Sequence, residues 1–238
     1  MRYQARRRSS DGFTLIELMV ALLISVFLLG GLMAINQSNR GAFTMQANLV
    51  QQTDEQRFAM TMLTEVVQSA GYFDNPATNT ATAVFPIVGV WVNSGQIISG
   101  TSGTKGASDT LSTRFFANSA SPLLLCDGTA PTTVADSGWE MQLSVSAAGQ
   151  LLCSINGGAP IALVDNVQNM SILYGVHANP ATLNGSIDSY LTAAQMSAND
   201  WMNVLSVRVV LSFRNTAPGA GQPPQIQMAR SIAVMARC

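Results

Sequence analysis

From Phe13 to Ile35 the chain is almost continuously apolar, and Glu17 is the only charged side chain in the run. At ~1.5 Å of rise per residue, a helix over these positions covers roughly 35 Å, enough to cross a bilayer core. The next stretch, Asn36 to Ala70, mixes Gln, Met, Ala and Glu and contains no proline. Phe58, Met62, Val66 and Ala70 recur at four-residue spacing with Leu63 and Val67 beside them. That spacing predicts a continuation of the same helix with one face packed on the rest of the protein. Gly71 is placed to cap it and Pro76 to stop it.

Beyond Tyr72 the pattern changes. Ala77 to Thr113 is rich in Thr, Ser, Asn and Gly, with short apolar runs at Val84-Phe85 and Ile87 to Val92, and predicts strands of a meander around a flexible Ser99 to Ser108 loop. Thr110 to Phe116 is a further strand candidate. Trp139 to Ser146 sets Met141, Leu143 and Val145 against Gln142, Ser144 and Ser146, the period of a half-buried strand. Ala148-Gly149 turns that strand into Gln150 to Ile155, and Asn156-Gly157-Gly158 turns again toward Ile161 to Val164. Val204 to Phe213 alternates in the same way, and Ile226 to Ala236 follows a loop at Pro218 to Pro224. The expected fold class is α+β, with a long N-terminal helix, its first half transmembrane, packed on an antiparallel β-sheet head.

Charge adds direction. Charged residues make up only 11% of the chain, a weakly charged surface unlike that of a nucleic-acid binder. Arg2, Arg6, Arg7 and Arg8 precede the apolar run, and the positive-inside rule puts that end in the cytoplasm. Without residues 1–12, which hold four Arg and one Asp, the remainder carries a net charge of −4. Glu17 is out of place in a membrane, where an ionised carboxylate costs ~2.5–3.5 kcal/mol even on the lenient scale, so it needs a partner.

The Arg-rich leader, Gly12-Phe13-Thr14-Leu15-Ile16-Glu17 and the apolar helix together resemble the type IV prepilin signal of the type IV filament superfamily. A secretory signal has a shorter core with a small-x-small site after it, and a plain anchor explains neither Glu17 nor the Gly12-Phe13 junction. The resemblance implies that a prepilin peptidase cuts between Gly12 and Phe13, that Phe13 becomes N-methylated, and that Glu17 acts in assembly. Its physical sense is that the new α-amino cation, on this subunit or a neighbour, lies within reach of the buried carboxylate. Many pilins carry a proline in the membrane half of the helix. This chain has none there, and Gly30-Gly31 and Gly41 are its weak points.

Three further blocks, Gln56-Arg57-Phe58 through Tyr72, Leu163 through Val176, and Trp201 through Arg208, resemble the heads of PilW-type minor pilins. The organisation this implies is a leader at 1–12, a transmembrane half-helix at 13–35, its continuation packing on the head at 36–71, and a β-rich periplasmic head at 72–238. The implied function is a minor pilin that helps prime a type IV pilus and enters at or near its tip. Its implied location is the inner membrane, single-pass with a periplasmic head, and then the pilus at the cell surface. The partners implied are other minor pilins, the major pilin, the prepilin peptidase, the inner-membrane assembly platform and a tip adhesin, with the membrane held by residues 13–35. A J-type pseudopilin of type II secretion shares the architecture, and a minor pilin whose head itself binds a surface or DNA is the other alternative. Sparse aromatics and the negative charge count against the last, and no nucleic acid is expected.

Cys126 and Cys153, on two strand candidates, are expected as a disulfide in an exported head. Two buried free thiols are the alternative, and the odd Cys238 leaves the connectivity open. His177, the single histidine, is expected as a surface or packing residue. Asn184, Ser186 and Asp188 alternate faintly like a calcium loop but lack its flanking Asp and terminal Glu. Arg40 and Arg57 are too sparse for a DNA stripe. No metal-spaced cluster or phosphate loop is present in the sequence, so neither catalysis nor a cofactor or metal is expected.

Overall fold

A computed structural model describes residues 12, 14–104, 106–132, 138–177, 186–216 and 223–237. The chain divides into two units, Met1–Val50 and Gln51–Cys238, and one helix, α1 (Leu15–Ser69), runs through the division. In the first unit every described residue of the helix is exposed. The helix is long and apolar enough to cross a membrane, with a mean hydropathy of 2.7 in its most apolar window.

In the second unit, burial along α1 starts at Gln52. Gln52, Gln56, Ala59, Met60, Leu63, Val66, Val67 and Ser69 form the buried stripe. Of the face read in the sequence, Leu63, Val66, Val67 and Ala70 are buried, whereas Phe58 is 49% exposed and Met62 only half-buried. The stripe includes Gln52, which donates its side-chain amide to the Arg214 carbonyl at 2.8 Å. A polar residue that ties off a strand end is as buried as a leucine. Gly71 ends the helix with φ +78°, where a Cβ would meet Ile97 and Ala236, and its N–H donates to the Arg114 carbonyl at 2.8 Å.

Two antiparallel sheets make up the remainder, rather than one. The first has five strands in sequence order: β1 (Ile98–Thr101), β2 (Thr110–Phe115), β3 (Trp139–Val145), β4 (Leu151–Ile155) and β5 (Ile161–Val164). The second, from β6 (Val167–Val176), β7 (Ser189–Leu191), β8 (Val204–Arg214) and β9 (Gln225–Ala233), is ordered β7-β6-β8-β9. The sheets meet along β6. Ahead of the β7 pairing, its edge groups are taken up by the first sheet: the Asp109 carboxylate accepts from Ile172 N–H at 2.7 Å, and Asp109 N–H donates to Met170 O at 2.8 Å. Tyr174, fully buried on β6, stacks edge-on against Trp201 at 4.8 Å, and burial together with Asp109 pushes its hydroxyl pKa up.

Several local expectations fail. Ile98–Thr101 pairs with β2 instead of opening the Ser99 to Ser108 loop, because Thr101 and Thr110 close the ladder with a 2.8 Å hydroxyl contact. Ala81–Val84 is a single helical turn, α2, and Ile87 to Val92 forms no strand beyond one bridge between Val88 and Trp91. Cys126 lies outside any strand. The Pro218 to Pro224 loop lies outside the described residues from 218 to 222, as do Asn184 and Cys238.

Cys126 and Cys153 are nevertheless bonded, with Cα atoms 6.4 Å apart and both residues buried. The bridge ties the segment after β2 to β4, an inner strand of the first sheet. Beside it the Asp127 carboxyl feels burial, which raises its pKa, but hydrogen bonds from Thr129 outweigh that and hold it below the usual value. Closing a loop of 27 residues stabilises by ~3.5 kcal/mol in the chain-entropy picture. Cys126→Ser should lower head stability by about that much, and reductant should reproduce the loss in wild type. Equal denaturation midpoints with and without reductant would remove the bridge from the account.

Candidate functional site

The helix start is built by Thr14. Its hydroxyl accepts from Glu17 N–H at 3.3 Å, and its carbonyl accepts from Glu17 and Leu18 N–H at 3.1 and 3.2 Å. Thr14 is thus the N-cap and Glu17 the third helical residue, the Thr-x-x-Glu spacing of a capping box. Glu17 is exposed and sits in the first turn, where the partial positive charge of the helix end favours a carboxylate. Gly12 is exposed two residues before that cap, in non-helical backbone. Phe13 lies outside the described residues, as does the Arg-rich leader. The sequence reading put Glu17 in assembly and overlooked the cap, although the Thr-x-x-Glu pattern was there to be read.

Inside the head the structure assembles a site that sequence reasoning missed. Arg114, on β2, is fully buried. Its Nε donates to Gln96 O at 2.5 Å, one terminal nitrogen to Pro86 O at 2.6 Å and the other to Asn93 O at 3.5 Å. The guanidinium carbon lies 4.6 Å from the centre of the Trp91 ring and 5.3 Å from that of Phe85. Glu140 stands opposite Arg114 across β2 and β3 and accepts from Trp91 Nε1 at 3.2 Å. Burial lowers the guanidinium pKa to about 10, against a raising effect of Glu140, and leaves it a cation at neutral pH. Gln96, also fully buried, accepts from Val92 and Asn93 N–H and donates to Ile98 O. Together these side chains fold residues 85–97 over the outer face of the first sheet.

His177, at the end of β6, is buried. Its Nδ1 lies 2.8 Å from Ser186 O and 3.1 Å from the Asp188 carboxylate. The packing role expected of it matches this position. Among the described residues no group of three or more His, Cys, Asp or Glu side chains is arranged to hold a metal ion.

Comparison with known families meets this geometry at both ends of the chain. Residues 7–33 match the family model described as the prokaryotic N-terminal methylation motif. Residues 136–233, from β3 through β9, match that of Type IV Pilus-assembly protein W. Together the two matches support a PilW-type minor pilin. No curated protein matches it. Among solved structures, the Type IV-like pilin TTHA1219 from Thermus thermophilus is 13% identical over 78% of this chain and 96% of its own, with a TM-score of 0.45. In this PilW-type chain the methylation motif covers the Thr14 cap and Glu17. The Arg114 cluster is split between Glu140, inside the matched head region, and Phe85, Trp91 and Arg114, ahead of it.

Proposed function

We propose that this pilin is a structural subunit that helps prime assembly of a type IV pilus and is incorporated at or near its tip. A prepilin peptidase cuts between Gly12 and Phe13 on the cytoplasmic side, Phe13 is N-methylated, and the apolar part of α1 holds the subunit in the inner membrane. Its head lies in the periplasm and then at the cell surface, and it works with other minor pilins, the major pilin and the assembly platform. The observation that carries this reading is the order of parts: a methylation motif at residues 7–33 opening a membrane-length helix, followed by a PilW head. The four arginines of the leader support the orientation, since basic flanks stay cytoplasmic.

The N-terminal mass tests it. Wild-type chain from membranes should begin at methylated Phe13, and the same species should be present in small amounts in sheared pili. Gly12→Val should leave the leader attached, because a branched side chain obstructs the cut, and the uncut chain should be absent from pili. A mature chain beginning elsewhere than Phe13, or one absent from sheared pili, would overturn the reading.

A further inference from the structure

We propose that the outer edge of β9 is a docking site for an extended, acidic segment of a different protein, which adds to the second sheet as a further antiparallel strand. Val234 N–H donates to Leu205 O, and Asn215 N–H to Pro224 O. In this register the odd-numbered residues of β8 therefore bond the even-numbered residues of β9. Gln225, Gln227, Ala229, Ser231 and Ala233 turn their N–H and C=O groups the other way, away from β8. All five are exposed, and no group among the described residues takes up those donors and acceptors.

Free sheet edges invite pairing with other chains, and proteins guard them by keeping them short, by bulges, or with Lys and Pro. The other three edges of this head are short: β1 and β5 have four residues each and β7 has three. β9 has nine, paired to β8 without a register shift, and contains neither Lys nor Pro. Its one charged residue, Arg230, is turned toward α1, where Nη1 donates to Thr64 Oγ1 at 3.0 Å and to Met60 O at 3.4 Å. It does not block the edge. A row of unpaired amides and carbonyls at strand spacing is matched by another extended backbone, whose main-chain hydrogen bonds supply the affinity.

Arg230 selects the occupant. Across the free edge it belongs to a non-hydrogen-bonded pair, the closer kind, so the residue an added strand sets opposite it has its Cβ ~4.5–5.5 Å away. Among the described residues no carboxylate lies within ion-pair distance of Arg230. An Asp or Glu on the added strand meets a cation that α1 already holds in place. A second copy cannot supply that acid from a free edge, since β1, β5, β7 and β9 contain no Asp or Glu. This excludes two-fold and head-to-tail pairing of those edges alike. The occupant is accordingly a strand of another protein with an acidic side chain at this position.

The test places a photo-crosslinking benzoylphenylalanine at Gln227 in the full chain, expressed in its native cells, with Ile161 on the short β5 edge as the control position. Irradiation should join Gln227 to a different protein, and peptide mapping should place the adduct in a segment that carries an Asp or Glu. Ile161 should give little adduct. Ser231→Pro removes an outward N–H and leaves the β8–β9 hydrogen bonds intact, so the Cys126–Cys153 bridge and the denaturation midpoint should be kept while the adduct falls about tenfold or more. Ser231→Ala keeps the N–H and should crosslink like wild type. Arg230→Glu, which alters no backbone group, should lower the adduct by a similar factor and decides the matter if the proline shifts the midpoint. No adduct, adducts only with lipid or with another copy of this chain, or a mapped segment without an acidic residue would overturn the proposal. Wild-type crosslinking by Arg230→Glu, or by a Ser231→Pro chain with an unchanged midpoint, would do the same.

Discussion

Arg114→Ala should lower the stability of the head by ~3–5 kcal/mol, the range for losing a large, well-packed buried group whose partners are then left without donors. The substitution removes the hydrogen bonds to Gln96, Pro86 and Asn93 and the cation between Trp91 and Phe85. It also leaves Glu140 as an acid with no cation across the strand pair. Arg114→Lys should recover only part of the loss, because an ammonium is a point charge and cannot present three donors in the plane of the guanidinium fork. Chemical denaturation of the detergent-solubilised chain, followed by tryptophan fluorescence, measures both. All three tryptophans lie in the head unit, and Trp91 touches the substituted group, so its emission should move before global unfolding in the alanine variant. A loss below ~1 kcal/mol would mean that Trp91 and Gln96 organise residues 85–97 without the arginine.

Glu17→Val should be inserted and cleaved like wild type, yet largely lost from the assembled pilus. Magnitudes favour a role beyond the cap. A carboxylate in the first turn of a helix gains ~0.3–1 kcal/mol from the helix end. Holding it ionised in a bilayer costs ~2.5–3.5 kcal/mol at the centre, so the helix end alone does not offset burial deep in the membrane. In the proposed assembly a cationic amine closes the difference, and valine would remove both the cost and the attraction. Glu17→Gln separates the two roles, since glutamine keeps the Thr-x-x-Gln form of the capping box but carries no charge. Both variants should reduce the subunit in sheared pili and weaken its co-purification with other minor pilins. If Glu17→Gln assembles like wild type while Glu17→Val does not, the cap is what matters. If both assemble normally, the electrostatic docking role fails.

The parts legible in the sequence are those specified locally. A run of apolar residues long enough for a bilayer, the N-terminal methylation motif at residues 7–33 and the glycine at position 71 are each written in consecutive residues, so residue order suffices to read them. The same holds for β3 and β4, where a period-two pattern and the Ala148-Gly149 turn bring Leu143 opposite Cys153. Of the stripe read in the sequence, Leu63, Val66, Val67 and Ala70 are buried, and only its first members, Phe58 and Met62, fall off the packed face. Hydrophobicity alone marks several possible faces on a helix this mixed, and the face used is the one where Gln52 finds a strand end.

Residues 85–97 were beyond local reading. Ile87 to Val92 has strand composition, but whether it pairs depends on what lies beneath it. That is Arg114, which the alternation of β2 assigns with Ser112 to the outer face. In the sequence an arginine at such a position reads as solvent-exposed; folding places a neutral segment over it, and the carbonyls of that segment become its partners. The sequence by itself therefore determined the membrane-length helix, the N-terminal methylation motif and most strands, because periodicity and turn chemistry act within a few residues. Only the tertiary structure decided the split into two sheets, the helix face in use and the pinned apolar turn, because each depends on which distant backbone groups are left to be satisfied.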